Sequence, residues 1–179
     1  MKKLLFIGLF GAFTLCISAQ PRSIGLRLGL NQEFSFQQYL NNESNFLQID
    51  IGTEALQAVE LAVTYNWFSD AKNSNIKSFW GFGGGAGFSW RNNDWYSFSK
   101  AADRISLRQS FFIGIVGMAG LEYEFSNIPL TLAFDYRPLI GADVGDKYYP
   151  VTNTPINKFG VKLHTSGFLN FGLSIRYML

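Results

Sequence analysis

His164 and Ser166 stand two residues apart in the segment KLHTSG, and His164 is the only histidine among 179 residues. On an extended strand a spacing of two puts an imidazole and a hydroxyl on the same face. If the last two strands form a hairpin, Asp135 lies opposite them. An acid, an imidazole and a hydroxyl together would make an activated nucleophile for acyl transfer. The alternative for His164 and Ser166 is two semi-polar side chains near a wet rim. A second stretch with chemical potential is KSFWGFGGGAGFSW, Lys77 to Trp90. A phosphate-cradling glycine motif needs its glycines at a strand-to-helix turn, where free backbone N–H groups face the ligand. Here Gly81, Gly83, Gly85 and Gly87 fall on every second residue, with Trp80, Phe82, Ala86, Phe88 and Trp90 in the opposite phase. That period predicts a strand with a bulky apolar face and an almost empty one, and not a nucleotide site.

The elements that would carry these residues are all strands. Ile24, Leu26 and Leu28 alternate with Gly25, Arg27 and Gly29; Phe34 and Phe36 alternate with Ser35 and Gln37. Leu47, Ile49 and Ile51 alternate with Gln48, Asp50 and Gly52, and Val59 to Trp67 alternate with Glu60, Ala62, Thr64 and Asn66. The glycine strand is the fifth. A sixth runs from about Leu107 to Phe125, longer than the usual strand of a soluble sandwich. Leu130 to Tyr136 and Val161 to Tyr177 supply the seventh and eighth. No segment has a convincing helical period.

The first residues place these strands outside the cytoplasm. MKKLLFIGLFGAFTLCISAQ has a basic start at Lys2 and Lys3, an apolar run, and small residues at Ser18 and Ala19. This pattern is that of a secretory signal peptide over residues 1–19, leaving 20–179 as one domain. Leu15 is not the small residue that precedes a lipidated cysteine, so Cys16 is not read as a lipid anchor. Cys16 is also the only cysteine, which leaves the mature chain no disulfide framework and no thiolate metal site. Without Lys2 and Lys3 the basic and acidic residues balance, and nothing suggests nucleic-acid binding.

Alternating strands in an exported protein fit a soluble sandwich or lipocalin-like barrel, with its apolar face inward, or a membrane barrel, where the polarity inverts. The charged phase holds Arg27, Asp50, Glu60, Glu122, Glu124, Asp135, Arg137, Lys162 and Arg176, relieved by glycine and serine. Its signs are nearly balanced, which suits a narrow lumen where ions must pair. Short connections (NNESN, SNIP) alternate with long ones (RNNDWYSFSKAADRI, ADVGDKYYPVTNTPINKFG). Tyr39, Phe46, Trp67, Phe79, Trp80, Tyr123, Phe125 and Tyr177 lie beside the short turns as an interfacial girdle. The expected fold is all-β: a closed antiparallel eight-stranded transmembrane β-barrel.

SIGLRLG with FSFQQYL, then GLEYEF followed by IPLTLAFDYRPLIG, and a terminal GLSIRYML together resemble the small outer-membrane β-barrel domain family of the Bacteroidota type, with the eight-stranded OmpA-like form. The resemblance spans the mature chain and implies location and fold; the family has no catalytic signature. Leu179 departs from the aromatic residue that the barrel-assembly signal favours, and the resemblance stops at the barrel, short of a peptidoglycan-binding domain.

What this implies is a small, non-enzymatic barrel of the Gram-negative outer membrane, with no cofactor, no metal and no open pore. Its role would be structural or partner-binding. Arg27, Glu60, Glu122, Asp135, Arg137 and Arg176 form the expected lumenal polar network, and Trp95, Tyr96, Tyr148 and Tyr149 the expected loop contacts. Partners would be outer-membrane lipid and lipopolysaccharide, the barrel-assembly machinery during insertion, and a protein reached through extracellular loops. Two other readings stay open. One is a lipid A-modifying hydrolase using His164 and Ser166 with Asp135, since outer-membrane lipid A deacylases are similar in placing a His-x-Ser pair on a barrel strand; Gly167 stands where they carry an asparagine. The other is an accessory subunit of a larger assembly, or a surface adhesin.

Overall fold

A computed structural model describes residues 22–40, 44–54, 57–69, 75–90, 106–149, 154–164 and 166–179. The expected leader, and with it Cys16, lies outside these residues, as do Trp95 and Tyr96. Ten ladder segments follow in order: β1 (Arg22–Gly29), β2 (Asn31–Leu40), β3 (Asn45–Glu54), β4 (Ala58–Ser69), β5 (Ile76–Ser89), β6 (Ser106–Glu124), β7 (Leu130–Tyr136), β8 (Leu139–Tyr149), β9 (Thr154–His164) and β10 (Phe171–Met178). Each pairs antiparallel with its neighbours, and the β5–β6 and β1–β10 ladders close the sheet on itself.

The ten segments make eight barrel strands. Ala119 faces Tyr136 and Val116 faces Leu139, so the register runs through Arg137 and Pro138 without gain or loss. β7 and β8 are one strand, interrupted because Pro138 has no N–H to give to the ladder. Its carbonyl still accepts from the Gly117 N–H at 3.0 Å. β9 and β10 are likewise one strand, with a real insertion. Gly141 faces His164 and Tyr136 faces Phe171, so residues 165–170 span what residues 137–140 span opposite. The two surplus residues are taken up in a 3-10 turn, Ser166–Leu169. Because the surplus is even, the side chains keep their faces across the break: His164 and Asn170 are both buried.

Following the register from Leu40 through Asn45, Trp67, Trp80, Ala119, Tyr136 and Phe171 leads back, by way of β1, to the head of β2, about ten residues from the start. Eight strands with that stagger tilt by roughly 40° and leave an interior just wide enough for side chains to fill. Polarity is the inverse of a soluble barrel's. Leu26, Phe34, Ile51, Leu61, Phe82, Ile113, Ile140 and Leu173 are exposed on the outside, whereas Arg27, Glu33, Asp50, Glu60, Asp135 and Arg176 are buried inside.

Several sequence expectations change. Tyr39, Phe46 and Phe79 do not belong to an outward girdle; they turn inward and cluster with Met118 and Ala133, with Phe68 against them. Trp80, Tyr123, Phe125 and Tyr177 do face outward, and half-buried Trp67 stacks on Trp80 at 4.8 Å between ring centroids. The expected last loop is mostly a strand hairpin, so Tyr148 and Tyr149 sit on β8 rather than in a loop, and their side chains lie outside the described ones. The rim opposite the chain ends is not uniformly long-looped either, since β1 returns into β2 at Leu30 alone.

The lumenal polar network as candidate functional site

Glycine makes the room for this interior. A side chain at Gly85 would meet Leu139 Cδ1 at 2.7 Å and Val116 Cγ2 at 2.9 Å, and one at Gly87 would strike the Phe112 ring. The empty face of β5 is therefore filled by apolar groups from β6 and β8, which gather with Ala62 into a second inward cluster. The occupants over this strand are an aromatic ring, Phe112, and the aliphatic Leu139 and Val116. The arginine that lies over a glycine does so elsewhere, with Arg27 across Gly172.

Three buried arginines organise the rest. Arg27 of β1 donates from Nε and Nη2 to Asp135 Oδ1 at 2.8 and 2.6 Å, and from Nη1 to Glu33 Oε2 at 3.1 Å and Asn170 Oδ1 at 3.0 Å. Arg137, at the β7–β8 junction, reaches across the lumen. Its Nη1 donates to Asp50 Oδ2 at 2.6 Å, and its Nη2 to Glu33 Oε1 and to Glu60 Oε1, the latter at 3.2 Å. Glu33 thus accepts from both guanidinium groups, one on each oxygen. Asn31 Nδ2 holds Glu60 Oε2 at 2.9 Å. Four consecutive strands and the wall facing them are tied by two forked cations, the geometry for which arginine is suited and lysine is not.

Nearer the short turns, Arg176 donates to Glu122 Oε2 at 3.1 Å and to Ser35 Oγ at 3.2 Å. The Tyr39 hydroxyl lies 3.3 Å from Glu122 Oε1 and 3.2 Å from Gln37 Oε1. Gln37 donates to Gln48, and Gln48 Nε2 donates to both Asp50 oxygens at 3.0 and 2.8 Å. Asp50 is also the acceptor for Arg137, so the two layers form one connected network. Burial of such groups is tolerable only when each ion is paired and its remaining hydrogen-bonding capacity is met.

All six expected network residues, Arg27, Glu60, Glu122, Asp135, Arg137 and Arg176, are buried in this lumen. Among the described side chains, the network carries more acids than bases. Three arginines face five carboxylates, those of Glu33, Asp50, Glu60, Glu122 and Asp135. Expected with them, Lys162 is exposed, and Glu124 pairs with Lys77 at a half-exposed position. The members not singled out from sequence are Glu33, Asn31 and Asn170 as cross-links, and Phe112, Val116 and Leu139 as filler. Glu33 shares its phase with Ser35 and Gln37, and Phe112 with Gly114, so strand phase was the signal that could have found them.

The expected Asp135–His164–Ser166 constellation does not assemble. Asp135 pairs in register with Gly172 and is held by Arg27, whereas His164 pairs with Gly141, six residues and roughly 20 Å further along the strand. The acid on His164 is Asp143, whose Oδ1 lies 3.0 Å from Nδ1. The imidazole is buried and stacks on Phe112 with centroids 4.4 Å apart. Ser166 starts the 3-10 turn, and its side chain lies outside the described ones.

No family model matches the chain, and no curated protein matches it.

Proposed function

We propose that this chain is a small outer-membrane β-barrel with a structural or partner-binding role and no open pore, made with a cleaved leader and inserted by the barrel-assembly machinery. The observation that carries the reading is the inverted polarity: a charged, hydrogen-bonded interior wrapped in a continuous apolar exterior. Ile115, Val161, Ile113 and Phe82 are each more than half exposed. In water such a belt would far exceed the few hundred Å² of contiguous apolar surface that soluble monomers tolerate. A bilayer removes that cost, and closure of the barrel leaves no strand edge facing lipid within the belt. The resemblance of GLEYEF, LAFDYRP and GLSIRYML to the Bacteroidota barrel family agrees with this placement.

The reading without an open pore is supported by how the interior is filled among the described residues. The aromatic cluster around Phe46 and Phe79 occupies the short-turn end, the arginine network the middle, and Phe112 with Leu139 the space beside and beyond it. The role is read as non-enzymatic because the His164 imidazole is buried and stacked on Phe112, and Asp135 is held by Arg27 away from it. Cell fractionation tests the placement. The mature protein is expected in outer membranes, migrating faster unheated than boiled; full recovery in the soluble periplasm would overturn the proposal. Planar-bilayer recordings test the pore: steady ohmic conductance from the purified barrel would contradict a filled lumen.

A further inference from the structure

The apolar belt is not equally tall all round the barrel. On β2 the outward positions Phe34 and Phe36 lie between Gln32 and Gln38, and on β3 Leu47, Ile49 and Ile51 lie between Asn45 and Thr53. Gln32 faces Thr53 in the ladder, so one polar row crosses both strands at the top. The strand made of β7 and β8 stands opposite in the ring. There every outward position from Leu130 to Val144 is aliphatic, aromatic or proline, until exposed Asp146 ends the run. Between the two walls the change is gradual. The outward apolar run covers Val59–Trp67 on β4, Trp80–Trp90 on β5 and Phe111–Tyr123 on β6, and on the other side of the ring it falls back to Ile24–Leu30 on β1.

Spacing along a strand converts to height. At about 3.3 Å per residue and a tilt of roughly 40°, the polar limits on β2 and β3 stand about 15–20 Å apart along the barrel axis, whereas Leu130 to Val144 spans about 35 Å. A membrane barrel meets an apolar layer about 25 Å thick. One wall is too short for that layer and the opposite wall too tall. Tilting the barrel does not reconcile them, since it moves both limits of a wall in the same direction and leaves their separation unchanged. A mismatch that tilt cannot absorb is taken up by the bilayer, which thins beside a short apolar surface and thickens beside a tall one. We propose that this barrel thins the bilayer along β2 and β3 and holds it thicker along β6 and the β7–β8 strand. Short or compressed acyl chains cover Phe34, Leu47, Ile49 and Ile51. The strand-by-strand taper is a shape that a fluid film follows, whereas a docked protein would meet a patch with an abrupt edge. This inference deepens the outer-membrane reading and rests on it.

The test uses the chain from Gln20 onward, which has no cysteine of its own, folded into phosphatidylcholine vesicles. Single cysteines carrying a nitroxide are placed at Asn45 or Thr53 on the short wall, and at Leu132 or Ile140 on the tall one. Each pair is separated by the same number of residues along its strand, so a flat bilayer treats the two pairs alike. Relaxation by oxygen, which dissolves in the acyl layer, is compared with relaxation by a water-soluble nickel chelate. Nickel is expected to relax both short-wall labels more than oxygen does, and oxygen both tall-wall labels more than nickel. Gln32→Leu, which adds an apolar row opposite Thr53, is expected to shift the Thr53 label toward oxygen. Three results would each overturn the proposal: both pairs reading alike, one wet and one lipid-embedded label on each wall as a tilted barrel in a flat bilayer gives, or tall-wall labels shielded from both reagents by a second copy. Failure to insert at all, with every label wet and the protein left outside the vesicles, would overturn the outer-membrane reading itself and this inference with it.

Discussion

Arg137 Nη1 and Asp50 Oδ2 meet at 2.6 Å although their strands stand opposite one another in the ring, four strands apart in either direction. A guanidinium at the β7–β8 junction therefore braces the barrel across its diameter, and Glu33 and Glu60 share the same cation. Among the described residues, five lumenal carboxylates share three arginines, so in this network the cations are the scarce partners. Arg137→Met is expected to destabilise the barrel by about 3–5 kcal/mol, since it strands several buried acids at once. Glu60→Gln should cost less than about 1.5 kcal/mol, because it keeps an acceptor for Arg137 and lowers the surplus negative charge. Heat-modifiability midpoints on gels rank the two. Equal losses would mean that the network is not limited by its cations.

The two faces of β7 give a second expectation. Leu132 points outward and Ala133, 1% exposed, points into the aromatic cluster. Leu132→Arg should cost about 2–4 kcal/mol if that face lies near mid-bilayer. Leu132→Phe, apolar and wider, should be nearly silent in lipid. A barrel that folds in vesicles equally well with arginine and with phenylalanine at 132 would argue against a lipid-facing exterior.

Adjacent glycines of β5 separate packing from strand chemistry. At Gly84 an added methyl would find only the Gly114 carbonyl oxygen, 3.8 Å away, whereas at Gly85 it would press on Leu139 and Val116. Gly84→Ala is expected to be neutral and Gly85→Ala to cost about 1–3 kcal/mol through overpacking. Shortening the neighbour by Leu139→Val should recover part of that loss. Urea titrations of the single and double variants measure the coupling, and strict additivity would show that Leu139 is not what fills the space over Gly85.

Strand phase was the legible part of this protein because the two faces differ so sharply in chemistry. Ile24 to Leu28 against Arg27, or Val59 to Trp67 against Glu60 and Thr64, admits one assignment of faces. The aromatic residues at strand ends were misplaced for want of the same test. Tyr39 shares its phase with Gln37, Phe46 with Gln48, and Phe79 with Gly81, so each belonged to the lumen. Proximity to a turn outweighed phase, since an aromatic there suits an interface as well as a plug. The register of the last strand was beyond sequence reasoning. A two-residue insertion that preserves phase leaves no mark on the alternation; it moves His164 from the position opposite Asp143 to that opposite Gly141, still six residues from Asp135. Asp143 went unread because its segment resembled a loop.

His164 offers the sharpest remaining contrast between scaffold and catalyst. Its ring stacks on Phe112 and its Nδ1 meets Asp143, so the side chain links β9 to β8 and caps the apolar filler. On that geometry His164→Ala removes a stacked ring and leaves a carboxylate short of a partner, with an expected loss of about 1–3 kcal/mol. Ser166→Ala, in the 3-10 turn, is a milder change of side chain and should be nearly silent in stability. A catalytic pair would behave otherwise. Nucleophile and base act as a unit, so either substitution would erase nearly all activity regardless of its effect on folding. Mass spectrometry of lipid A from cells producing the intact protein, each variant, or no protein separates the two. Identical acylation in all four strains is expected, with only the His164→Ala barrel unfolding earlier on heating. An acyl chain lost or moved solely when both residues are intact would make the barrel an enzyme.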